Sequence, residues 1–255
     1  MSDHNSIERK FDFMEDSHMV KKELVRRSPL RILEKSTLGG VGKGNIGIIA
    51  GKKGQGKTAC LVHIATDQLL QNKHVIHLSF SGDINHIVTW YEDIFQELSK
   101  QYKLDCAMDV HDDIIRNRIV MNFQQGKVGV GKIESNVKTI IEKGNFTVET
   151  IIVDGYDFVS GSVSEIKEFK RFARDNGFEL WFSATVKEDV NGAAPKVLAP
   201  YMNDVAVLIC LEPRGDLMHL NLIKDHDANV VPDMHLKLDP RILLIAEENQ
   251  ADRAA

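Results

Sequence analysis

The sequence has only three cysteines, Cys60, Cys106 and Cys210, odd in number, far apart and without the spacing of a metal knuckle. That scarcity excludes a disulfide framework and predicts a reduced, cytoplasmic compartment in which the thiols serve as small apolar side chains. No apolar run approaches the roughly 20 residues that a membrane helix requires. The opening residues, MSDHNSIERKFDF, lack the apolar centre of a signal peptide, so no membrane partner is expected. An excess of basic charge is also missing. The formal net charge of −5 argues against a protein that coats nucleic acid by bulk electrostatics and leaves only a local basic channel open. No fixed-period repeat or low-complexity tract interrupts the chain.

What is present is an ordinary globular composition, 43% hydrophobic and 27% charged over 255 residues, which suits one α/β domain with a short appendage. Residues 1–29 carry charge and the loosely spaced apolar residues Ile7, Phe11, Phe13, Met14 and Met19. They read as an arm, either frayed or docked on a neighbouring subunit. Residues 30–248 form the expected core and 249–255 a flexible tail.

From Asn45 short apolar runs alternate with helix-length amphipathic segments, the pattern of a mostly parallel sheet covered by helices. Strands are predicted at Ile46–Ala50, His74–Phe80, Arg118–Phe123, Thr150–Val153 and Glu179–Ala184. Helices are predicted from Lys57 to about Leu70, from Asn85 to Lys100, near Glu134–Lys143 and at Val163–Asn176. Beyond Asp204 the helical period disappears. Val205–Leu211, Met218–Ile223, Met234–Leu238 and Ile242–Ile245 then predict an antiparallel extension. The polar stretch Gln101–Asp113 reads as a surface excursion.

The segment Gly51-Lys52-Lys53-Gly54-Gln55-Gly56-Lys57-Thr58 satisfies the eight-position Walker A pattern, with a buried strand before it and a helix after it. Its glycines let backbone N–H groups surround phosphates, and the helix N-terminus adds partial positive charge. Gly51, Lys53, Gly54, Gln55, Gly56, Lys57, Thr58 and Ala59 are therefore candidate contacts for ATP. Lys57 is expected on the β- and γ-phosphates, and the Thr58 hydroxyl on Mg2+. Thr150-Ile151-Ile152-Val153-Asp154 places an acid at a strand end, making Asp154 the candidate outer-sphere metal carboxylate. Gly155 follows it, where AAA+ and ABC-type ATPases usually carry a glutamate. Asp157 is a second acid nearby, read as a solvated or helix-capping residue.

Upstream, Leu38-Gly39-Gly40-Val41-Gly42-Lys43-Gly44-Asn45 leads into Ile46-Gly47-Ile48-Ile49-Ala50-Gly51. A paired glycine, a turn glycine and an apolar strand before the loop resemble the start of RecA-superfamily ATPase cores, those of KaiC and DnaB-type helicase domains above all. The resemblance spans roughly residues 30–245. It implies a RecA-like P-loop NTPase fold, with a mostly parallel sheet flanked by helices and a C-terminal antiparallel extension.

The same resemblance makes Ser183 and Thr185, in Trp181-Phe182-Ser183-Ala184-Thr185, candidates for sensing the γ-phosphate. It matches Lys224 to a lysine that reaches a neighbour's nucleotide, with a solvated strand-end lysine as the alternative. Where the family has an arginine two residues on, this chain has His226, which is only partly charged near pH 7. The family's catalytic glutamate after the second core strand is also missing, because His74 to Tyr91 contains none. Asp83 is the carboxylate left there, as a substitute base or a turn or capping residue. Gly126–Lys132 mimics the Walker spacing, but Ile133 stands in place of the hydroxyl, so it reads as a basic loop. With Lys187 and Lys196 that loop is a weak candidate for touching nucleic acid.

The resemblance thus implies an ATP- and Mg2+-binding homo-oligomer, a ring such as a hexamer or a filament, with nucleotide at subunit boundaries and slow hydrolysis. A nucleotide-dependent scaffold or switch is the alternative, and a DNA-acting helicase-like motor the third. Self-phosphorylation of the KaiC kind finds no acceptor, since no Ser or Thr follows Thr185.

Overall fold

Strand β1 (Ile46–Gly51) is buried at every position, and its alternating side chains divide the molecule into two cores. Ile46, Ile48 and Ala50 join one apolar cluster and Ile49 joins the other. The computed structural model describes residues 18–80, 83–104, 107–144, 146–190, 192–228 and 230–249, so the first 17 residues and the predicted tail beyond Asn249 lie outside it.

The elements follow in the order α1 (residues 18–27), α2 (Leu30–Ser36), β1, α3 (Lys57–Leu70), β2 (His74–Ser79), α4 (Ile84–Tyr102), α5 (Ala107–Arg116), β3 (Arg118–Asn122) and α6 (Val130–Gly144). Then come β4 (Val148–Asp154), α7 (Val163–Asn176), β5 (Glu179–Thr185), a 3-10 turn at Lys196–Tyr201, β6 (Val207–Arg214), β7 (Leu217–Asp225), β8 (Leu236–Asp239) and β9 (Leu244–Glu247). The nine-stranded sheet has the order β3-β2-β4-β5-β1-β6-β7-β8-β9. Pairings from β3 through β6 are parallel, and those from β6 onward are antiparallel. Chain order jumps where β5 and β4 insert between β1 and β2, and such a switch point opens a crevice at the carboxyl ends of the strands.

Helices α3, α4 and α5 pack on one face together with β8 and β9, and α6 and α7 cover the other. Close packing across the central pair depends on Gly47, where a Cβ would stand 2.5 Å from Val41 Cγ2 and 2.7 Å from Trp181 Cε3. Helix α7 begins with a capping box in which the Ser162 hydroxyl accepts from Glu165 N and the Glu165 carboxylate accepts from Ser162 N.

One predicted segment differs in kind. Gln101–Asp113, read as an irregular excursion, contains the end of α4 and most of α5. Val110 and Ile114 are both buried, one helical turn apart, while the intervening positions are polar. Only these two of its residues are buried, and apolar Met108 and Ile115 are exposed, which obscures the period. Likewise the predicted basic loop Gly126–Lys132 runs into α6, whose Val130 and Ile133 are buried. The described part of the arm is the helix α1, with Leu24 in the core of the same chain and Lys21 buried between Asp113 and Asn72.

Candidate functional site

The crevice at the ends of β1, β4 and β5 is built first from the loop after β1. Lys52 N donates to Gln55 Oε1 at 2.5 Å and Gln55 N donates to Lys52 O at 3.3 Å, closing the loop on itself. Gly56 caps α3 with φ 90° and no side chain accepts from the helix, so its first-turn N–H groups stay free to meet an anion. Gly56 has no room for a side chain, since a Cβ would fall 2.1 Å from Leu238 Cδ2.

Lys57, the first residue of α3, is 9% exposed, and its ammonium donates to Lys52 O at 2.8 Å. Burial lowers its pKa, and the nearby Asp154 carboxylate partly opposes that shift. The next residue, Thr58, donates its hydroxyl to Asp154 Oδ2 at 3.0 Å. Asp154 is the buried last residue of β4, 96 positions along the chain. Magnesium keeps much of its water and takes few protein ligands when phosphate oxygens complete its octahedron, so one hydroxyl beside one carboxylate fits it.

The end of β5 lies between these two strands. Ser183 is buried, and its hydroxyl oxygen accepts from Gly155 N at 2.8 Å, holding the backbone just beyond Asp154. Thr185 pairs in register with Gly51 and is exposed at the mouth. Lys53 is exposed on the loop and Ala59 is buried one turn into α3.

The remaining wall is apolar and was missed by sequence reasoning. His86 and Trp90 of α4 line the cleft from one side, and Met218 of β7, Leu238 of β8 and Pro240 and Leu243 of the following turn line it from the other. The cleft encloses about 490 Å³. Trp90 Nε1 donates to His86 Nε2 at 3.0 Å, and the rings meet edge to face at 5.9 Å. The loop after β1 had a motif to announce it. The wall has none, because it is assembled from a helix near residue 90 and strands beyond residue 217 that meet only in the folded chain.

Other sequence candidates stand apart from the cleft. Asp83 is exposed, accepts from Asn85 N at 2.9 Å as the cap of α4, and does not line the cleft. Among the described residues Asp154 is the one carboxylate that does. Asp157 accepts from Val159 N and Ser160 Oγ, and these bonds lower its pKa, as suits a turn-capping residue. Lys224 pairs with Leu208, which pairs with Ile48, so it sits beside the middle of β1 and not at the loop that follows Gly51. Its ammonium donates to Met202 O at 2.6 Å, and burial lowers its pKa. His226 lies farther back, within hydrogen-bond reach of Asp225 Oδ1 and Val41 O.

No protein-family model matches the chain, and no curated protein matches it. Among solved structures, the ATPase domain of G40P is similar, with a TM-score of 0.63 and 12% identity over 85% of this chain and 89% of that one. At this identity the likeness bears on the fold alone. The fold is the RecA-like α/β arrangement that the sequence predicted, a mostly parallel sheet flanked by helices with an antiparallel C-terminal part. Among the described residues no helix is long and apolar enough to cross a membrane.

Proposed function

We propose that this chain is an ATP-binding, RecA-like ATPase that works as a homo-oligomer and hydrolyses slowly. The observation that carries this reading is the Thr58–Asp154 hydrogen bond beside the Lys57 ammonium, at the head of an uncapped helix. Lys57 supplies a fixed positive charge to the terminal phosphates, replacing its bond to Lys52 O. The backbone N–H groups of Gly54 through Ala59 surround the phosphate oxygens. Thr58 and Asp154 hold Mg2+, which when bound neutralises charge on the phosphate oxygens. Gly51 and Gln55 hold the loop in shape, Lys53 and Thr185 approach the phosphates from the mouth, and Ser183 keeps Gly155 in place. The aromatic and aliphatic wall takes the base.

The reading of slow turnover is supported by the described residues that line the cleft. Orienting an attacking water calls for a carboxylate or amide oxygen within hydrogen-bond reach, and the Gln55 amide oxygen already accepts from Lys52 N. Asp83 is engaged as a helix cap, and Asp154 belongs to the metal. Lys224 does not line its own chain's cleft, which is compatible with the role toward a neighbouring subunit's nucleotide that the family resemblance implies and equally with a solvated strand-end lysine. The reading as a nucleotide-dependent scaffold or switch draws on the same observation, that Asp154 is the one carboxylate lining the cleft among the described residues. A DNA-acting motor ranks third, with Lys127, Lys187 and Lys196 as its weak basic support. Molecular mass measured with and without Mg-ATP, alongside phosphate release, separates these. A rise in mass with slow release supports the ATPase, a rise without release supports the switch, and no change in either contradicts both.

A further inference from the structure

We infer that His86 reads the base as a hydrogen-bond donor, so that this site takes purine nucleotides through ring N7 and does not select for the 6-amino group of adenine. The inference rests on the nucleotide reading above and deepens it. An indole N–H can only donate. With Trp90 Nε1 3.0 Å from His86 Nε2, that imidazole nitrogen is the acceptor, and a neutral ring then carries its proton on Nδ1. His86 is exposed, and no hydrogen bond among the described residues engages Nδ1. The two residues stand four apart on one face of α4, and the edge-to-face packing of their rings holds the orientation.

The lining of the cleft is of two chemical kinds. Phosphate oxygens belong at Gly54–Thr58 and Asp154, and Trp90 lines the same cleft together with the apolar Met218, Pro240 and Leu243. A base lying against Trp90 brings its edge to His86. Adenine and guanine share N7 as an acceptor, pyrimidines lack it, and only adenine offers the 6-amino donor. Among the described residues that line the cleft Asp154 is the one carboxylate, and the metal reading engages it. A site built to hydrogen-bond a substrate group rejects analogues lacking it by large factors, and here the group so read is N7.

The test is equilibrium binding of ATP, GTP and 7-deaza-ATP to the full chain with Mg2+. Wild type is expected to bind ATP and GTP within about fivefold of each other and 7-deaza-ATP about tenfold more weakly, the cost of one unmade hydrogen bond. His86→Leu is expected to bind ATP and 7-deaza-ATP alike, both near the weaker wild-type value. Trp90→Phe, which keeps an aromatic face and removes the N–H that sets the tautomer, is expected to shrink the 7-deaza penalty. Equal wild-type affinities for ATP and 7-deaza-ATP, a penalty that persists in His86→Leu, or a GTP affinity a hundredfold below that for ATP overturns the inference. Failure of wild type to bind any of the three nucleotides overturns the function itself, and the inference with it.

Discussion

The Thr58–Asp154 contact joins two residues that a motif could name separately but not bring together. Asp154→Asn keeps the shape of the pair and removes its charge. Affinity for ATP is then expected to lose its dependence on magnesium, read by titrations with Mg2+ and with excess EDTA. A second prediction concerns His63, which is fully buried on α3 and accepts from Ile245 N through Nδ1. Burial pushes its pKa from 6.5 down to about 4. The unfolded chain therefore takes up this proton first as pH falls, so the contribution is complete above about 6.5 and is lost toward 4. That amounts to about 2 kcal/mol at pH 5. Buried His77 is shifted in the same direction, again chiefly by burial. His63→Asn, which can place an acceptor near Nδ1, is expected to flatten the fall in urea-unfolding stability between pH 7 and pH 5. Neither histidine was legible as a pH-sensitive group, since each is one polar residue in an apolar segment and its burial is set by distant chain.

Among the elements, the hairpin of β8 and β9 has the most consequence for the site. It packs on α3 and sets Leu238 against Gly56, where φ is 90° and a Cβ would meet Leu238 Cδ2. Gly56→Ala is expected to cost at least about 2 kcal/mol from the backbone conformation and the clash together. Leu238→Ala in that background is expected to recover the part due to the clash, giving a coupling above about 1 kcal/mol in a double-mutant cycle followed by urea unfolding. The strands were legible as short apolar runs bounded by turn residues, and the long helices α4 and α7 by their amphipathic period. Val163–Asn176 was readable to the residue because Ser162 and Gly177 mark its ends. Helix α5 was not, because its buried stripe is two residues, and the apolar wall was not, because it depends on how far the sheet curls around α3.

For the whole molecule, the arrangement of charge is the informative feature. The loop after β1 opens at that strand's carboxyl end, Lys224 stands beside the middle of the strand and His226 toward its start. Contacts between copies that join one chain's loop to another's Lys224 are head to tail, and such contacts close into rings or extend as filaments. Lys224→Ala is expected to slow phosphate release several-fold in the assembled protein while leaving nucleotide affinity of the chain unchanged, measured by release assays and binding on the same sample. The most direct measurement of the central claim is calorimetric titration of Mg-ATP into wild type and Lys57→Ala. Saturable binding to wild type, weakened roughly 10- to 100-fold when the charged hydrogen bond is removed, is expected. Absence of binding to wild type, or equal binding to both, contradicts the assignment of Gly51–Thr58 as a nucleotide site.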